Sequence, residues 1–283
     1  MNSDIVCCIV LYRPTRDQIM EIVRVSKVLS RVAVFWNHYT EDDKGLANIL
    51  SSRDTIEIYR NRENCGLSAN YQKCLELVEN EKYLILLDQD TAYSDEDLSE
   101  FIITSRNLFQ MSPKVSAIAP NIECDYDPER SRKKFTSPTY VPWIINSGTL
   151  FRIEHLREIG GFDTNLFVDH VDLDVSYALT ALGYKLLQLP EPILRQSLGR
   201  RAARLGFKTY LHSSWRLERQ VRDRIYLYRK HNSAHMIIPY MVKASLKQMF
   251  FGDRIFARLH SIFRGFYFTR KELNTDNRKR PDD

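Results

Sequence analysis

Four apolar runs of strand length, IVCCIVLY from Ile5, RVAVFW from Arg31, TIEIY from Thr55 and YLILL from Tyr83, recur along the first third of the chain with helix-like segments between them. Runs this apolar keep no polar face for water, which marks parallel strands covered by helices on both sides. After the first, Thr15 stands where an N-cap belongs, and Ile19, Ile22, Val25 and Leu29 follow at helical spacing. KGLANILSS and LSANYQKCLELVEN read as further helices. Ser94 and Asp97 occupy capping-box positions ahead of a helix running toward Phe109, and KVSAIAP reads as a fifth strand. Alternation on this scale predicts an α/β fold: a mostly parallel, doubly wound sheet with right-handed crossovers.

Beyond Pro120 the alternation breaks into a polar stretch, NIECDYDPERSRKKFTSPTYVP, too long for a tight connection and of the kind that serves a site or moves. A strand, GTLFRI, resumes and leads into a helix, EHLREIGG, then FDTNLFVDHVDLDVSYALTALGYK and a short strand, LLQLP. From about Arg195 the pattern is helical, basic and aromatic to the end. The expected division is a domain over 1–195 and a helical basic extension over 196–283.

The chain's 283 residues are 43% hydrophobic and 27% charged, which excludes global disorder and a polytopic membrane protein. Its net charge of +5 is uneven: Arg195, Arg200, Arg201, Arg204, Lys208, Arg216, Arg219, Arg222, Arg224, Arg229 and Lys230 face only Glu218 and Asp223 over the same stretch. That half calls for an anionic partner. The five cysteines, Cys7, Cys8, Cys65, Cys74 and Cys124, form no C-x-x-C pair and read as reduced, buried small side chains. MNSDIVCCIVLYRP lacks the basic and small-residue flanks of a signal peptide, and no segment reaches roughly 18 uninterrupted apolar residues, so a cytoplasmic location is expected.

The fourth apolar run stops at LDQDT, with Asp88 and Asp90 one residue apart. Ligands of an open parallel sheet sit beyond the carboxyl ends of its strands, and residues two apart in an extended chain point the same way. Two carboxylates there suit a hard divalent cation, Mg²⁺ or Mn²⁺, which is commonly shared between one or two carboxylates and a substrate's phosphates. A solvated pair of loop aspartates is the plainer alternative. The sequence has neither a P-loop nor a G-x-G-x-x-G after a strand, so any phosphate must be held by metal and side chains.

VLYRP after the first strand, NRENCGLSANYQKCLE, LILLDQDT, INSGTLFRIEHLREIGGFDTNLFVDHVDLD and GYKLLQLPE occur in this order over about residues 5–195. In that combination the chain resembles the family 2 glycosyltransferases of GT-A fold, and most of all their bacterial rhamnosyltransferase branch. The resemblance implies transfer of a sugar, with inversion, from a nucleoside-diphosphate sugar to an acceptor hydroxyl, with Asp88 and Asp90 at the metal. Asp172 falls on the family's catalytic base and Asp174 on its later acid. Val171 takes a usually acidic position, as the run Phe167, Asp169, Val171, Asp172 does in the rhamnosyltransferase branch; Asp169 stands as a possible supporting acid. Tyr12, Asn37, Asn64, Gly66, Asp88, Asn146, Ser147 and Gly148 fall on stretches expected to bind the donor or acceptor.

Three positions depart from the family pattern. Trp36, followed by Asn37 and His38, stands where an aspartate usually meets the base or ribose, so stacking or Asn37 is expected to replace it. Ala178 stands where an arginine is common. Gln196 stands where a metal-binding histidine is expected, and can offer the cation only a neutral oxygen. The implied donor is dTDP-L-rhamnose and the implied acceptor a lipid-linked, polyprenyl-diphosphate-bound O-antigen or capsule type glycan. A UDP-hexose donor, and a noncatalytic sugar-nucleotide or glycan-binding protein on a degenerate scaffold, remain open. The cationic, aromatic extension suits either the anionic inner face of the cytoplasmic membrane, where the protein would be peripheral, or packing against the catalytic domain. No nucleic-acid recognition fold accompanies the charge.

Overall fold

All seven residues of β1 (Ile5–Leu11) are buried, and the strand lies at the middle of a parallel ladder with β2 (Val32–Trp36) on one side and β4 (Tyr83–Asp88) on the other. The computed structural model describes residues 3–91, 93–124, 135–196, 200–204, 207–251 and 254–276, without the side chains of 124, 195–196, 200–204, 207–210 and 268–276. Among these residues the main sheet has eight strands in the order β3-β2-β1-β4-β7-β5-β8-β6, where β3 is Ile56–Arg60, β5 Val115–Cys124, β6 Thr139–Val141, β7 Leu150–Arg152 and β8 Lys185–Gln196.

Alternation along the strands explains why both faces are apolar. Cys7, Ile9 and Leu11 join Val34, Trp36, Ile85 and Leu87 in the core that also takes Ile19, Ile22 and Val23 of α1 (Arg16–Val25), Ala47 and Leu50 of α2 (Lys44–Ser51) and Leu98, Phe101 and Ile102 of α4 (Asp95–Met111). On the other face Cys8 meets Cys74 of α3 (Leu67–Leu77), and burial pushes the Cys8 thiol well up, so it stays protonated. Thr15 caps α1 in a reciprocal capping box with Gln18, and the Ser94 hydroxyl accepts from the Asp97 amide at the start of α4.

The half of the sheet beyond β4 departs from the expected pattern. β7, which leads into the short helix α5 (Ile153–Glu158), is antiparallel to both of its neighbours, β4 and β5. It is entered from the carboxyl end of the sheet, where Gly148 N–H donates to Leu86 O (2.7 Å) and Leu86 N–H to Thr149 O (3.1 Å), so the chain can only run back along β4. The polar stretch after Pro120 begins as strand, and β6 pairs antiparallel with β8, an element the sequence reading does not anticipate. The expected short strand LLQLP continues instead through Pro190 and Pro192 to Gln196. Its ladder with β5 shifts register between Ala119 and Asn121, the part of the ladder opposite those prolines, and the amides of Gln188 and Asn121 cross to Pro120 O and Pro190 O. Cys65 is exposed, unlike Cys7, Cys8 and Cys74.

The residues group into two compact units, one of 1–164 with 171–196 and one of 165–170 with 197–283. After β8 the chain is not helical at once, because β9 (Arg200–Arg204) and β10 (Phe207–Leu211) form an antiparallel pair. Three helices follow: α7 (Ser214–Lys230), α8 (Ile237–Phe251) and α9 (Ile255–Asp276). Leu217, Val221 and Ile225 of α7 pack with Ile237, Ala244 and Ile262. At the crossing of α7 and α9 a Cβ on Gly265 would lie 2.5 Å from Glu218 O, so only glycine permits that approach. No described helix is long and apolar enough to cross a membrane.

The second unit also holds the segment 165–170. The Asp223 carboxylate, wholly buried, accepts at Oδ2 from the amides of Phe167, Val168 and Asp169 (3.1, 3.2 and 3.3 Å) and at Oδ1 from Arg222 Nε and Nη2 (3.0 and 2.9 Å). Burial raises its pKa, and Arg222 with the Val168 and Phe167 amides opposes that shift. A buried acid is tolerated there because its lone pairs are met.

Candidate functional site

At the carboxyl ends of β1 and β2 the chain turns out of the sheet through left-handed residues, Arg13 (φ 48°) and His38 (φ 67°), beside the end of β4. Asp88 closes β4, and its own amide donates to Thr91 Oγ1 (3.1 Å) and Ser147 Oγ (3.4 Å), two hydroxyls that also bond each other closely. Tyr71, buried on α3, donates its hydroxyl to Asp88 Oδ1 (3.4 Å). Burial and the neighbouring Asp88 push the Tyr71 pKa well up, so it remains the donor. Nothing in the sequence singles out Tyr71, because a tyrosine at an apolar helical position looks like core.

Asp88 itself is pushed up to about 6 by burial first and by Asp90 second, with Asp172 adding to the effect and the hydroxyls of Ser147 and Tyr71 opposing it. Asp88 at the end of β4 therefore feels two further carboxylates, Asp90 beyond the strand and Asp172 from a helix. Asp90 is exposed and Asp172 half-buried in the first turn of α6 (Val171–Ala181), where Asp172 Oδ1 accepts from the Leu173 amide (2.9 Å). Asp174, two residues on, is buried at 2% exposure and lies inside the unit instead of at its surface. Among the described residues no three His, Cys, Asp or Glu side chains assemble into a ready-made metal cage. What the arrangement offers is concentrated negative charge on an exposed carboxylate and a half-buried one, a donor set suited to a hard cation that takes further oxygens from a bound phosphate.

The charge has a measurable consequence for folding. Below about pH 4 Asp88 is protonated in folded and unfolded chain alike and costs nothing; from pH 4 to about 6 the unfolded chain ionises first, and above 6 the folded chain carries the full penalty. Asp88→Asn is thus expected to stabilise the protein by about 1–2 kcal/mol at pH 7.5 without added cations, and to leave it unchanged near pH 3.5. Urea melts at the two pH values check this; a variant less stable than the parent at pH 7.5 contradicts it.

The stretch before β7 supplies Asn146, Ser147 and Gly148. Asn146 is 7% exposed, and its Oδ1 is buried with no hydrogen-bond partner among the described residues, a costly state for an acceptor and one that a ligand's hydroxyl would relieve. Gly148 has a structural reason to be glycine. Its φ is 79°, and a Cβ there would lie 2.6 Å from Leu194 Cδ1 and 2.9 Å from both Pro120 Cγ and the Tyr93 hydroxyl. Gly148→Ala is expected to cost roughly 2–4 kcal/mol in a urea melt, from left-handed strain and overpacking together. A loss within experimental error of zero contradicts that reading.

Asn37 is buried and committed to the loop before α3. Its Nδ2 donates to Asn64 Oδ1 (2.7 Å), its Oδ1 accepts from the Cys65 amide (2.8 Å), and Asn64 Oδ1 also takes the Gly66 amide (3.1 Å). These residues are brought together, but as a brace for the loop. Trp36 cannot stack on a base as expected: it is 0% exposed in the core, edge-on to Tyr39 at 5.5 Å. Strand alternation turns its indole toward α1 and α2, and the aromatic surface left at this edge is Tyr12, 40% exposed, beside His38 at 6.5 Å. Tyr12 is fixed by its amide donating to Gln89 Oε1 (2.8 Å), between the two aspartates.

Asp169 does not share these contacts. It packs in the second unit with Arg216 Nη2 at 3.5 Å, and burial raises its pKa while Arg216 opposes the shift. The side chain of Gln196 lies outside the described residues, as do those of Arg195, Arg200, Arg201, Arg204 and Lys208.

No protein-family model matches the sequence, and no curated protein matches it. By shape the chain is similar to GalNAc-T7, solved with UDP, GalNAc and Mn²⁺, at a TM-score of 0.58 and 15% identity. The match covers 98% of this chain and 58% of that one, so the chain spans less than two thirds of that protein's length. The fold is of GT-A type. In this GT-A sheet Asp88 ends the strand beside β1, and the segment carrying Asn146 to Gly148 folds back against it.

Proposed function

We propose that the protein is an inverting, metal-dependent glycosyltransferase that moves L-rhamnose from dTDP-L-rhamnose to a lipid-linked cell-surface glycan. The observation that carries the reading is Asp88 at the carboxyl end of β4, held up to about 6 by burial and by the neighbouring carboxylates Asp90 and Asp172. Asp90 and Asp88 would hold Mg²⁺ or Mn²⁺, which when bound neutralises charge on the departing diphosphate.

The remaining steps belong to side chains of the chain. Asp172 accepts the proton of the acceptor hydroxyl as its oxygen bonds to the anomeric carbon and the bond from that carbon to the diphosphate oxygen breaks. Asn146 Oδ1 is an acceptor for a sugar hydroxyl, and Tyr12 with His38 offers ring surface to a base. Asn37, Asn64 and Gly66 keep the adjoining loop in place, which serves binding without contact to the ligand. In the cell the protein would work as a peripheral protein on the inner face of the cytoplasmic membrane, with the division into a catalytic domain over 1–195 and a basic extension over 196–283.

A UDP-sugar donor is the second reading, favoured by the UDP and GalNAc bound in the GalNAc-T7 structure. Thermal melts with dTDP, UDP and GDP, each with and without Mn²⁺, test the proposal. The expected result is stabilisation by dTDP that needs Mn²⁺; a larger shift with UDP moves the assignment to the second reading, and no Mn²⁺-dependent shift with any of the three contradicts both.

A further inference from the structure

Within the C-terminal unit a cavity of about 450 Å³ opens between α7 and α8, and its walls carry Arg224, Lys243 and Lys247 with Tyr228, Tyr240 and His170. No carboxylate lines it. Arg224 Nε donates to His170 Nε2 (3.0 Å), and its guanidinium sits over the rings of Tyr228 and Tyr240 at 5.6 and 5.8 Å, so the fork is held in one orientation. His170 cannot share the positive charge, because burial and Arg224 lower its pKa to about 3. Lys243 and Lys247 stand one helical turn apart on α8, and burial together with Lys243 lowers the Lys247 pKa.

The two nearby acids lie outside the cavity lining and have other partners. Asp223 is held by Arg222 and three amides, and Asp169 pairs through Oδ1 with Arg216, although its charge also reaches Arg224. Among the described residues no carboxylate comes within ion-pair distance of Arg224, Lys243 or Lys247. Three like charges around a cavity repel one another and weaken the unit unless an anion joins them. A fixed guanidinium fork, two ammonium groups and two phenol donors suit the tetrahedral oxygens of a phosphate, and Lys243 and Lys247, one helical turn or roughly 5.4 Å apart along α8, can each take one phosphate of a tandem pair.

We infer that this cavity binds a diphosphate group, held by Arg224, Lys243 and Lys247 with hydroxyl donors from Tyr228 and Tyr240. The solvent face of α8 carries Ile238, Val242, Leu246 and Met249, all exposed at helical spacing, so the same helix presents an apolar stripe that a lipid carrying the diphosphate would meet. Naming that lipid as the glycan acceptor rests on the glycosyltransferase reading, whereas the binding itself does not.

Calorimetric titration of the full chain with inorganic pyrophosphate in EDTA tests the inference, because chelation silences any metal-dependent site in the first unit. Binding is expected, weakened at least about tenfold in Lys243→Gln and further in the Lys243→Gln/Lys247→Gln double variant, with little change in Lys230→Gln, an exposed charge outside the cavity. Lys243 is itself exposed, so its variant should fold, and circular dichroism checks that it does. No binding at millimolar pyrophosphate, or equal weakening in all three variants, overturns the inference. A second arm uses neutral phosphatidylcholine vesicles doped with polyisoprenyl diphosphate. Co-sedimentation that pyrophosphate competes away identifies a lipid source, and pyrophosphate binding without co-sedimentation identifies a soluble diphosphate at the same site. Loss of Mn²⁺-dependent nucleotide binding with pyrophosphate binding intact would mark failure of the glycosyltransferase reading alone.

Discussion

Asp172→Asn is expected to lower kcat by about two orders of magnitude or more while leaving donor affinity nearly unchanged. An alcohol hardly ionises at neutral pH, so a carboxylate that receives its proton as the sugar bond forms acts in the transition state alone, and its loss appears in kcat. Asparagine keeps the shape and can still accept the Leu173 amide through its oxygen, so the first turn of α6 should survive. The donor contacts proposed for Asp88, Asp90 and Asn146 would remain. Collapse of donor binding in this variant would make Asp172 a binding or structural residue. The same kinetic signature in Asp169→Asn, with Asp172→Asn active, would move the base to a residue that the structure packs against Arg216.

Asp90→Ala is expected to abolish metal-dependent turnover and with it the Mn²⁺-dependent stabilisation by nucleotide. Asp90 is exposed beyond the end of β4, so removing it should leave the fold intact, and it is one of the charges that raise Asp88. A cation without its principal carboxylate binds too weakly to hold the diphosphate. Retained metal-dependent activity in a folded Asp90→Ala protein would remove Asp90 from the site. A milder loss is expected for Asp88, whose backbone amide and carboxylate are also tied to Thr91, Ser147 and Tyr71.

The first four strands and the helices between them were legible because each is a local pattern: apolar runs for β1, β2, β3 and β4, 3.6-residue spacing for α1, and side-chain caps at Thr15 and Ser94. What was not legible is non-local. β6 and β7 are three residues each, and their direction depends on where the chain enters the sheet. The continuation of β8 through Pro190 and Pro192 depends on a register shift in its partner. The β9–β10 pair is basic and short, with no apolar alternation to announce it.

The candidate site divides in the same way. Asp88 and Asp90 stood out because charge after a buried strand is conspicuous, and Asp172 came from resemblance to a family motif. That Trp36 faces the core while Tyr12 stays exposed depends on strand alternation at the last residue of β2 and on the turn after β1. Gly148 and Asn37 prove to have tight structural duties that their sequence neighbourhood does not announce. Asp223 read as one of two acids in a basic stretch, whereas three backbone amides more than fifty positions earlier in the chain give it its role.

Metal-dependent transfer of a sugar from a nucleoside diphosphate is the proposed activity. It is tested most directly by measuring release of the nucleoside diphosphate from dTDP-L-rhamnose, in parallel with UDP-hexoses, in the presence of Mn²⁺ and again with excess EDTA. Slow release with one donor class that stops in EDTA and in Asp90→Ala is the predicted result. Release that EDTA leaves unchanged, or no release from any donor by a protein that still binds nucleotide with Mn²⁺, would contradict it, the latter pointing to a noncatalytic binding protein on the same scaffold.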